Sequence, residues 1–166
     1  SPGACSLSPH IVLHESGLPF EAIAAPTKTH QLPDGTDYYT INPLGYVPLL
    51  ELDNGERLRE GPVIVQYIAD QVPAKNLAPA NGTMARYRLE EWLNTIGTEL
   101  HKGFSPLFTP GMPDEAKAMA NGGWRAPHKR LFPVAGRSGI ATIKAQLVNM
   151  RDGGFISQHD FHIASL

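Results

Sequence analysis

Prolines and glycines divide the first part of this 166-residue chain into short elements, and their positions constrain the fold more than any other feature. Gly17 predicts the end of a first helix, because glycine readily adopts the left-handed conformation that closes helices. Asn54-Gly55 lies between two alternating segments, which is typical of a β-hairpin. Pro73 ends a second helix, because proline cannot continue the hydrogen-bond ladder. Helices and strands therefore alternate over about the first 75 residues.

The predicted elements of this first part are short. Ser8 is the expected N-cap of the first helix, with Pro9 at its first helical position. Two strands follow, over residues 20–25 and 47–52, and the second continues through the hairpin into residues 57–60. Pro48 donates no hydrogen bond to a sheet, so it is expected at the first residue of its strand or in a special bend. A second helix opens at Gly61-Pro62, with an apolar face at helical spacing.

Residues 73–82 are rich in Pro, Ala and Asn and predict a linker. A long helix is predicted next, over about residues 83–103. Its apolar stripe consists of Leu89, Leu93, Ile96, Leu100 and Phe104. A second, polar stripe consists of Glu91, Asn94, Thr98, His101 and Ser105. This polar stripe either lines a cleft or faces solvent as an ordinary helix surface.

The pattern weakens toward the C-terminus. Residues 112–116 predict another helix start, and residues 142–150 a short helix. Between residues 121 and 154, glycines and prolines interrupt every helical pattern. Ser157 to Asp160 forms a Ser-x-x-Asp capping pattern, which predicts a helix beginning at Phe161.

Composition excludes several function classes. The net charge of −2 gives no broad basic surface for nucleic acid. The apolar runs are far shorter than the roughly 20 residues of a membrane span, so no membrane partner is expected. The chain has one cysteine, Cys5, which rules out an intramolecular disulfide framework and a multi-cysteine zinc site. A free cysteine fits a reducing compartment, and we expect a cytoplasmic protein.

Cys5 lies just ahead of the first predicted helix. Unpaired N–H groups and the positive end of the helix dipole favour a thiolate there, so we expect a lowered pKa for Cys5 or a place for another molecule's thiolate. The alternative is a small apolar residue packed in a loop. His10 and His14, four residues apart, would need a third ligand at useful spacing to form a metal site, so no metal is expected.

Four segments in order resemble one family. The run Ser1 to Ser6 before a helix resembles the start of the bacterial, beta-class glutathione transferases. Residues 42–49, Asn-Pro-Leu-Gly-Tyr-Val-Pro-Leu, resemble the family's Asn-Pro-x-Gly-x-Val-Pro loop. Residues 60–68 resemble its Glu-Ser-x-Ala-Ile-x-x-Tyr-Ile segment, and residues 99–104 resemble the helical domain's contribution to the site. The resemblance is strong to about residue 120.

The resemblance implies an α/β plus all-α fold. A thioredoxin-like N-terminal domain at residues 1–75 would bind glutathione, and an all-helical C-terminal domain would occupy residues 83–166. Such proteins are usually homodimers. Glutathione would be the co-substrate, and hydrophobic electrophilic small molecules would be its partners in the reaction.

The resemblance also implies the site residues. Cys5 would lie beside the glutathione sulfur, Ser6 would offer a hydroxyl and an N–H, and His101 would donate to the thiolate. The implied glutathione-binding residues are Val47 and Pro48 at a cis peptide, Glu60 and Gly61 at the helix start, and Asn94 and Lys102 from the second domain. Each has a simpler alternative: Pro48 as a trans strand opener, Glu60 and Lys102 as surface residues, and His101 as an ordinary helix histidine.

Three departures from the family pattern matter. The family has a strand ahead of the Ser-Pro-Gly run, and without it we expect a gap in the sheet with unpaired edges. Gly61 stands where the family usually has serine, which removes one hydroxyl donor. Residues 121–154 do not read as the family's long helices. We expect a glutathione transferase, with glutathione-dependent thiol–disulfide exchange through Cys5, or a non-catalytic binding module, as alternatives.

Overall fold

The structure is a computed structural model that describes residues 5–26, 28–103, 105–119 and 162–165. Its first half alternates helices with short strands, and its second half begins with a longer helix. Among these residues, no helix combines the length and the apolar character needed to cross a bilayer.

The first helix, α1, spans Leu7–Ser16, so it begins earlier than the sequence predicts. Ser6 is the N-cap, which places Pro9 at the third helical position. Proline is tolerated there because the N–H groups of the first turn have no partner within the helix. The prediction of Ser8 as cap is therefore wrong. Gly17 closes α1 at φ 73°, as predicted.

Four strands form one sheet in the order β1-β4-β2-β3. Their bounds are Glu21–Ala24 for β1, Leu49–Glu51 for β2, Arg57–Arg59 for β3 and His162–Ser165 for β4. β2 and β3 pair antiparallel, with Leu50 opposite Leu58. The chain between them turns through Leu52, Asn54-Gly55 and Glu56, which confirms the predicted hairpin.

The C-terminal strand β4 overturns two predictions. It lies between β1 and β2, antiparallel to the first and parallel to the second, so the sheet has no gap at this position. The helix predicted from Phe161 is also wrong, since 162–165 is extended. Hydrogen bonds to two neighbouring strands outweigh a local capping preference, because each pairing satisfies a full row of backbone groups. The capping residues 157–160 lie outside the described residues.

The second helix, α2, spans Gly61–Gln71 and packs against α1. Leu13, Leu50, Ile64 and Ile68 form a buried cluster between these helices and the sheet. Leu49 points to the other face, where it joins a second buried cluster with Tyr38. Neighbouring strand residues thus contribute to opposite cores. This packing fixes the ends of α1 and α2 relative to β2.

The third helix, α3, spans Met84–Thr95 and continues as a π-helical turn over Ile96–His101. Thr83 caps it, since its side chain accepts from the Arg86 N–H. Leu93 and Ile96 of the predicted apolar stripe are buried. The polar stripe is exposed along its whole length. The predicted helix is thus confirmed, with a wider turn where His101 lies.

A short helix, α4, covers Ser105–Phe108, and residues 114–119 are also helical, as predicted for the segment after Pro113. Between α2 and α3 the chain forms a 3-10 turn at Pro73–Lys75 and is otherwise irregular, as expected of a linker. The predicted helix at 142–150 and the glycine- and proline-rich stretch at 121–154 lie outside the described residues.

Candidate functional site

The start of α1 presents a thiol and a buried hydroxyl. Cys5 is a free, exposed cysteine. Ser6 is 3% exposed, and its Oγ has no hydrogen-bond partner among the described residues. Although Ser6 occupies the N-cap position, its side chain does not bond to the first turn. Unpaired backbone N–H groups and an unpaired hydroxyl therefore meet at the positive end of α1.

His101 reaches this helix end from the second half of the chain. Its Nε2 lies 3.8 Å from Cys5 Sγ, a contact between residues 96 positions apart. His101 ends the π-helical turn, and such wide turns within helices often occur at functional positions because they re-aim side chains. The structure thus brings Cys5, Ser6 and His101 together.

The pKa of Cys5 is raised above its ordinary value, which contradicts the lowered pKa expected from the sequence. Burial among protein atoms is the largest cause, and the charge of Glu60 adds to it, while a backbone hydrogen bond opposes both. The lowered pKa was predicted from the helix dipole alone. Solvent still reaches Cys5, and its raised pKa keeps it a thiol at neutral pH in the free protein.

The loop before β2 has the predicted conformation at its end. The Val47-Pro48 peptide bond is cis. The loop is held from inside, since Tyr38 Oη and Asn42 Nδ2 each donate to the Tyr46 carbonyl at 2.7 Å. Tyr38 and Asn42 are each 1% exposed. Sequence analysis missed both of these supports. Asn42 was noted only as the first residue of the Asn-Pro-x-Gly-x-Val-Pro motif, and no sequence pattern indicated a role for Tyr38.

Gly45 is required in this loop by both backbone and space. Its φ is 66°, and a Cβ there would lie 2.8 Å from His30 Nε2 and Tyr39 Cε1. The His30 and Tyr39 rings stack on one another with centroids 4.3 Å apart. The loop therefore closes tightly over these two rings, and Val47 and Pro48 are held at its end.

The start of α2 brings Glu60 and Gly61 beside this loop. Glu60 is the N-cap residue at φ 69°, ψ 114°, a region that a non-glycine residue occupies at a cost of about 1–3 kcal/mol. A Cβ on Gly61 would lie 3.9 Å from Pro48 Cγ, which is ordinary contact. Serine at position 61, the residue usual in the resembled family, would therefore fit.

Two predicted residues stand apart from this group. Asn94 and Lys102 are exposed on the helix that carries His101. Within the part of the chain that the structure describes, neither side chain forms a hydrogen bond or ion pair with Cys5, Val47 or Glu60. The other seven predicted positions lie around the N-terminal ends of α1 and α2. We call this region the cleft, and its residues are Cys5, Ser6, Val47, Pro48, Glu60, Gly61 and His101.

Comparison with known proteins places this geometry in a family. The family model "Glutathione S-transferase, N-terminal domain" matches residues 3–71. The solved structure "Ternary complex of BphK, a bacterial GST" is similar over 95% of this chain and 92% of its own, with a TM-score of 0.82 and 39% identity. The chain belongs to the glutathione S-transferase family. Its fold class, a thioredoxin-like domain followed by a helical domain, follows from the same matches.

Other relatives agree with this family. "Glutathione S-transferase GstA" of Escherichia coli O157:H7 is 50% identical over 116 residues, which are 70% of this chain and 58% of that protein. A beta-class enzyme of Sphingomonas chungbukensis is 44% identical with a TM-score of 0.79, over 89% of this chain and 78% of its own. A sphingomonad relative, also 44% identical with a TM-score of 0.79 and covered over 88% and 78%, was solved with glutathione. The chain spans little more than half the length of GstA.

A narrow pocket lies between α1, α2 and the strands β1 and β2. Its volume is about 10 Å³, roughly the space of one water molecule, and its walls are mostly apolar. Its walls are Ser6, Pro9, His10, Ala22, Pro48, Leu49, Leu50 and Ile64. Ser6 is thus shared between the pocket and the end of α1, and its unpartnered hydroxyl lies in largely apolar surroundings.

His10 and His14 pair with each other. Their Nε2 atoms are 3.1 Å apart, and both rings pack edge-on against Phe20. Across residues 5–119, with their gaps, and 162–165, no group of three histidine, cysteine or acidic side chains is arranged to hold a metal ion.

Proposed function

We propose that this protein conjugates the thiolate of glutathione to hydrophobic electrophiles. In this reaction the glutathione sulfur attacks an electrophilic carbon, a C–S bond forms, and the leaving group departs with the bonding electron pair. The protein would hold the sulfur as an anion and orient it. Glutathione is the co-substrate, and no metal takes part.

The observation that carries this proposal is the 3.8 Å contact between Cys5 Sγ and His101 Nε2 at the open end of α1. It joins the two halves of the chain at the point where Ser6 has an unpaired hydroxyl. A glutathione thiolate beside Cys5 would accept from the Ser6 hydroxyl and from His101. An anion would thereby satisfy a buried donor that has no partner among the described residues.

The raised pKa of Cys5 supports this assignment of the charge. A protonated Cys5 can donate its S–H to the glutathione sulfur, whereas a Cys5 thiolate would repel that sulfur. The same protonation disfavours thiol–disulfide exchange through Cys5, because the thiolate is the attacking form. Conjugation by the sulfur of glutathione is therefore the better-supported activity.

The γ-glutamyl end of glutathione would bind at the start of α2. Glu60 would accept from the ammonium group, and the Gly61 N–H would donate to the carboxylate at the positive end of this 11-residue helix. The strained backbone at Glu60 fits such a role, because strain of this kind persists where a side chain must be aimed.

The remaining contacts are proposed from the family resemblance. The Val47 N–H and C=O, next to Pro48, would pair with the cysteinyl backbone of glutathione in the manner of an added strand. Asn94 and Lys102, exposed on the helix of His101, would approach the cleft or the glycyl carboxylate when the substrate is bound. The exposed polar stripe of this helix would then form one wall of the site for the electrophile.

Turnover of a chlorinated dinitroaromatic compound tests this proposal. With glutathione the protein should release chloride and form the thioether, and His101→Gln should lower the rate at pH 7 about tenfold, because bound glutathione that loses this donor is less often ionised to the thiolate. Cys5→Ala should abolish mixed-disulfide formation with oxidised glutathione while conjugation is reduced less. Glutathione binding without any turnover would overturn the proposal in favour of a binding module.

We propose that the protein acts as a homodimer in the cytoplasm, with functional units at residues 1–75 and 83–166, of which residues 162–165 pair with the sheet of the first unit. Several large apolar side chains are exposed on the loop before β2, on α2 and on α3. They are Leu44, Tyr46, Val63, Met84 and Tyr87. A second copy would cover them, since exposed apolar groups of this size are typical of interaction surfaces. Light scattering after size-exclusion chromatography would measure the dimer, and a monomer at micromolar concentration would exclude it.

A further inference from the structure

A buried arginine ties the two halves of the chain together far from the cleft. Arg86, on the first turn of α3, is 2% exposed. Its Nε donates to Gln66 Oε1 at 3.0 Å, and its Nη1 donates to Asp70 Oδ1 at 2.9 Å. Nη1 also donates to the Pro79 carbonyl at 2.7 Å, and Nη2 to Asp70 Oδ2. One guanidinium on α3 thus binds both α2 and the linker.

Asn81 completes this group, because its Nδ2 donates to Asp70 Oδ2 at 3.1 Å. We call Gln66, Asp70, Pro79, Asn81 and Arg86 the interdomain clasp. The pKa of Asp70 is lowered, chiefly by its hydrogen bond from Arg86, so the carboxylate is charged across the neutral range. The guanidinium donates to groups on two segments, α2 and the linker, and a single lysine ammonium could not reproduce its forked geometry.

The clasp and the cleft are connected through the rigid length of a helix. α3 and its π-helical turn run from Arg86 to His101, about 22 Å at 1.5 Å per residue. Over that length, a tilt of about 10° at the clasp would displace His101 by about 4 Å, which is as large as its 3.8 Å separation from Cys5. The position of His101 therefore depends on how firmly α3 is held at Arg86.

We propose that Arg86 is a positioning residue for the cleft, acting through the interdomain clasp to hold His101 against Cys5. It touches no substrate. Its effect on turnover rests on the proposed function, but its effect on the Cys5–His101 contact does not. The proposal thus assigns a role in the site to a residue remote from it.

The chain's single cysteine allows a direct test without glutathione. Alkylation of the protein by iodoacetamide reports Cys5 alone. In the parent protein, His101→Gln should slow this alkylation at pH 7 by about three- to tenfold, because a donor that stabilises the thiolate is lost. In an Arg86→Met background, the same His101→Gln change should have almost no effect, because His101 no longer contacts Cys5. The difference between the two ratios is the coupling that the proposal requires.

Arg88 provides the matched control. It lies on the same helix as Arg86, is well exposed, and among the described residues pairs only with Glu91 in the same turn. Arg88→Met should leave the His101→Gln ratio at its parent value. Arg86→Lys should fall between parent and Arg86→Met, since one ammonium can satisfy part of the clasp.

The ratios are to be measured on protein shown to be folded by its thermal transition. An unchanged His101→Gln ratio in the Arg86→Met background would overturn the proposal. Where Arg86→Met does not fold, Asp70→Asn takes its place, and failure of both to fold would overturn the proposal in favour of a purely structural role. Because no glutathione is present, loss of the proposed conjugation would leave this result standing, and the reverse also holds.

Discussion

Two polar clusters of this protein are built in opposite ways. In the interdomain clasp, Arg86 donates from all three of its nitrogens and Asp70 accepts on both oxygens. In the cleft, the Ser6 hydroxyl is buried and has no partner within the part of the chain that the structure describes, and Glu60 has a strained backbone. The polar groups of the clasp supply one another with hydrogen-bond partners, whereas the cleft has a polar group that requires a partner from a ligand. This difference marks which cluster stabilises the fold and which receives a ligand.

The comparison has an energetic basis. A satisfied buried network rigidifies the elements it joins, and a partly satisfied one costs free energy until a ligand completes it. Removing a group from the clasp should therefore destabilise the free protein, while removing one from the cleft should not. The following changes test that contrast, beginning with the largest effect.

Arg86→Met should lower the free energy of unfolding by about 2 kcal/mol, because Gln66 loses its hydrogen bond from the guanidinium and the partly exposed Asp70 keeps, among the described residues, only the donor on Asn81. Urea denaturation followed by circular dichroism measures the change. Arg88→Met, which removes only an exposed pair with Glu91, should change stability by less than about 0.5 kcal/mol. Equal losses in both variants would contradict a special role for the clasp.

Acid should weaken the clasp through Asp70. Its pKa in the folded protein lies below its unfolded value of about 3.9, so its contribution is complete above that value and is lost as pH falls through the folded pKa. The carboxylate is partly exposed, so solvent screens the ion pair and the contribution of Asp70 to the free energy of unfolding is about 1 kcal/mol. Thermal transitions between pH 2 and 6 should show a steeper acid limb in the parent than in Asp70→Asn. If the melting temperatures of both proteins fall equally steeply with acid, Asp70 is excluded as a cause of the acid destabilisation.

Ser6→Ala should stabilise the free protein by about 1 kcal/mol, because it removes a buried hydroxyl to which no described residue offers a partner. It should also weaken glutathione binding about fivefold, the cost of one lost donor. Ser16→Ala is the matched control at the other end of α1. Its Oγ donates to the Leu13 carbonyl and accepts from the Leu18 N–H, so that variant should be destabilised by about 1 kcal/mol. Unfolding curves and calorimetric titration measure both effects.

Predictability from sequence follows the same division between local and distant interactions. The hairpin at Asn54-Gly55 and the end of α1 at Gly17 were predictable because neighbouring residues determine them. The cis Val47-Pro48 bond was implied by the family resemblance, since the residues alone left a trans strand opener as the alternative. The start of α1 was misplaced, since the Ser8 pattern is a good local cap while Ser6 takes the position without using its side chain. Local patterns thus gave the elements but not each boundary.

The clasp and the β4 strand were not predictable in this way. Arg86 resembles any charged residue on a helix surface, and its partners lie 16 and 20 positions back along the chain. β4 sits between strands more than 100 residues away in sequence, and that pairing outweighs the local capping pattern before it. The direction of the Cys5 pKa shift was wrong for the same reason, because Glu60 and the surrounding protein are brought to Cys5 only by folding.

Gly61→Ser should strengthen glutathione binding in the cleft, because it supplies the hydroxyl that the resembled family usually has at this position. A Cβ fits there beside Pro48, so we expect tighter glutathione binding by about fivefold, the gain of one hydrogen bond. Gly61→Ala adds the carbon without the hydroxyl and is the control. Calorimetric titration with glutathione measures both variants. Equal affinities for serine and alanine would mean that the hydroxyl finds no acceptor on the ligand.

Glu60→Gln should have the smallest effect and tests the electrostatics of the cleft alone. The Glu60 charge is one cause of the raised Cys5 pKa, so its removal lowers that pKa and increases the thiolate fraction at pH 7. Alkylation of Cys5 by iodoacetamide should become about two- to threefold faster, a modest gain because a less basic thiolate is also a weaker nucleophile. Glu56→Gln, in the exposed hairpin turn, should leave the rate unchanged. A rate that falls in Glu60→Gln would show that Glu60 supports the thiolate instead, and the cleft would then resemble the clasp in satisfying its own charges.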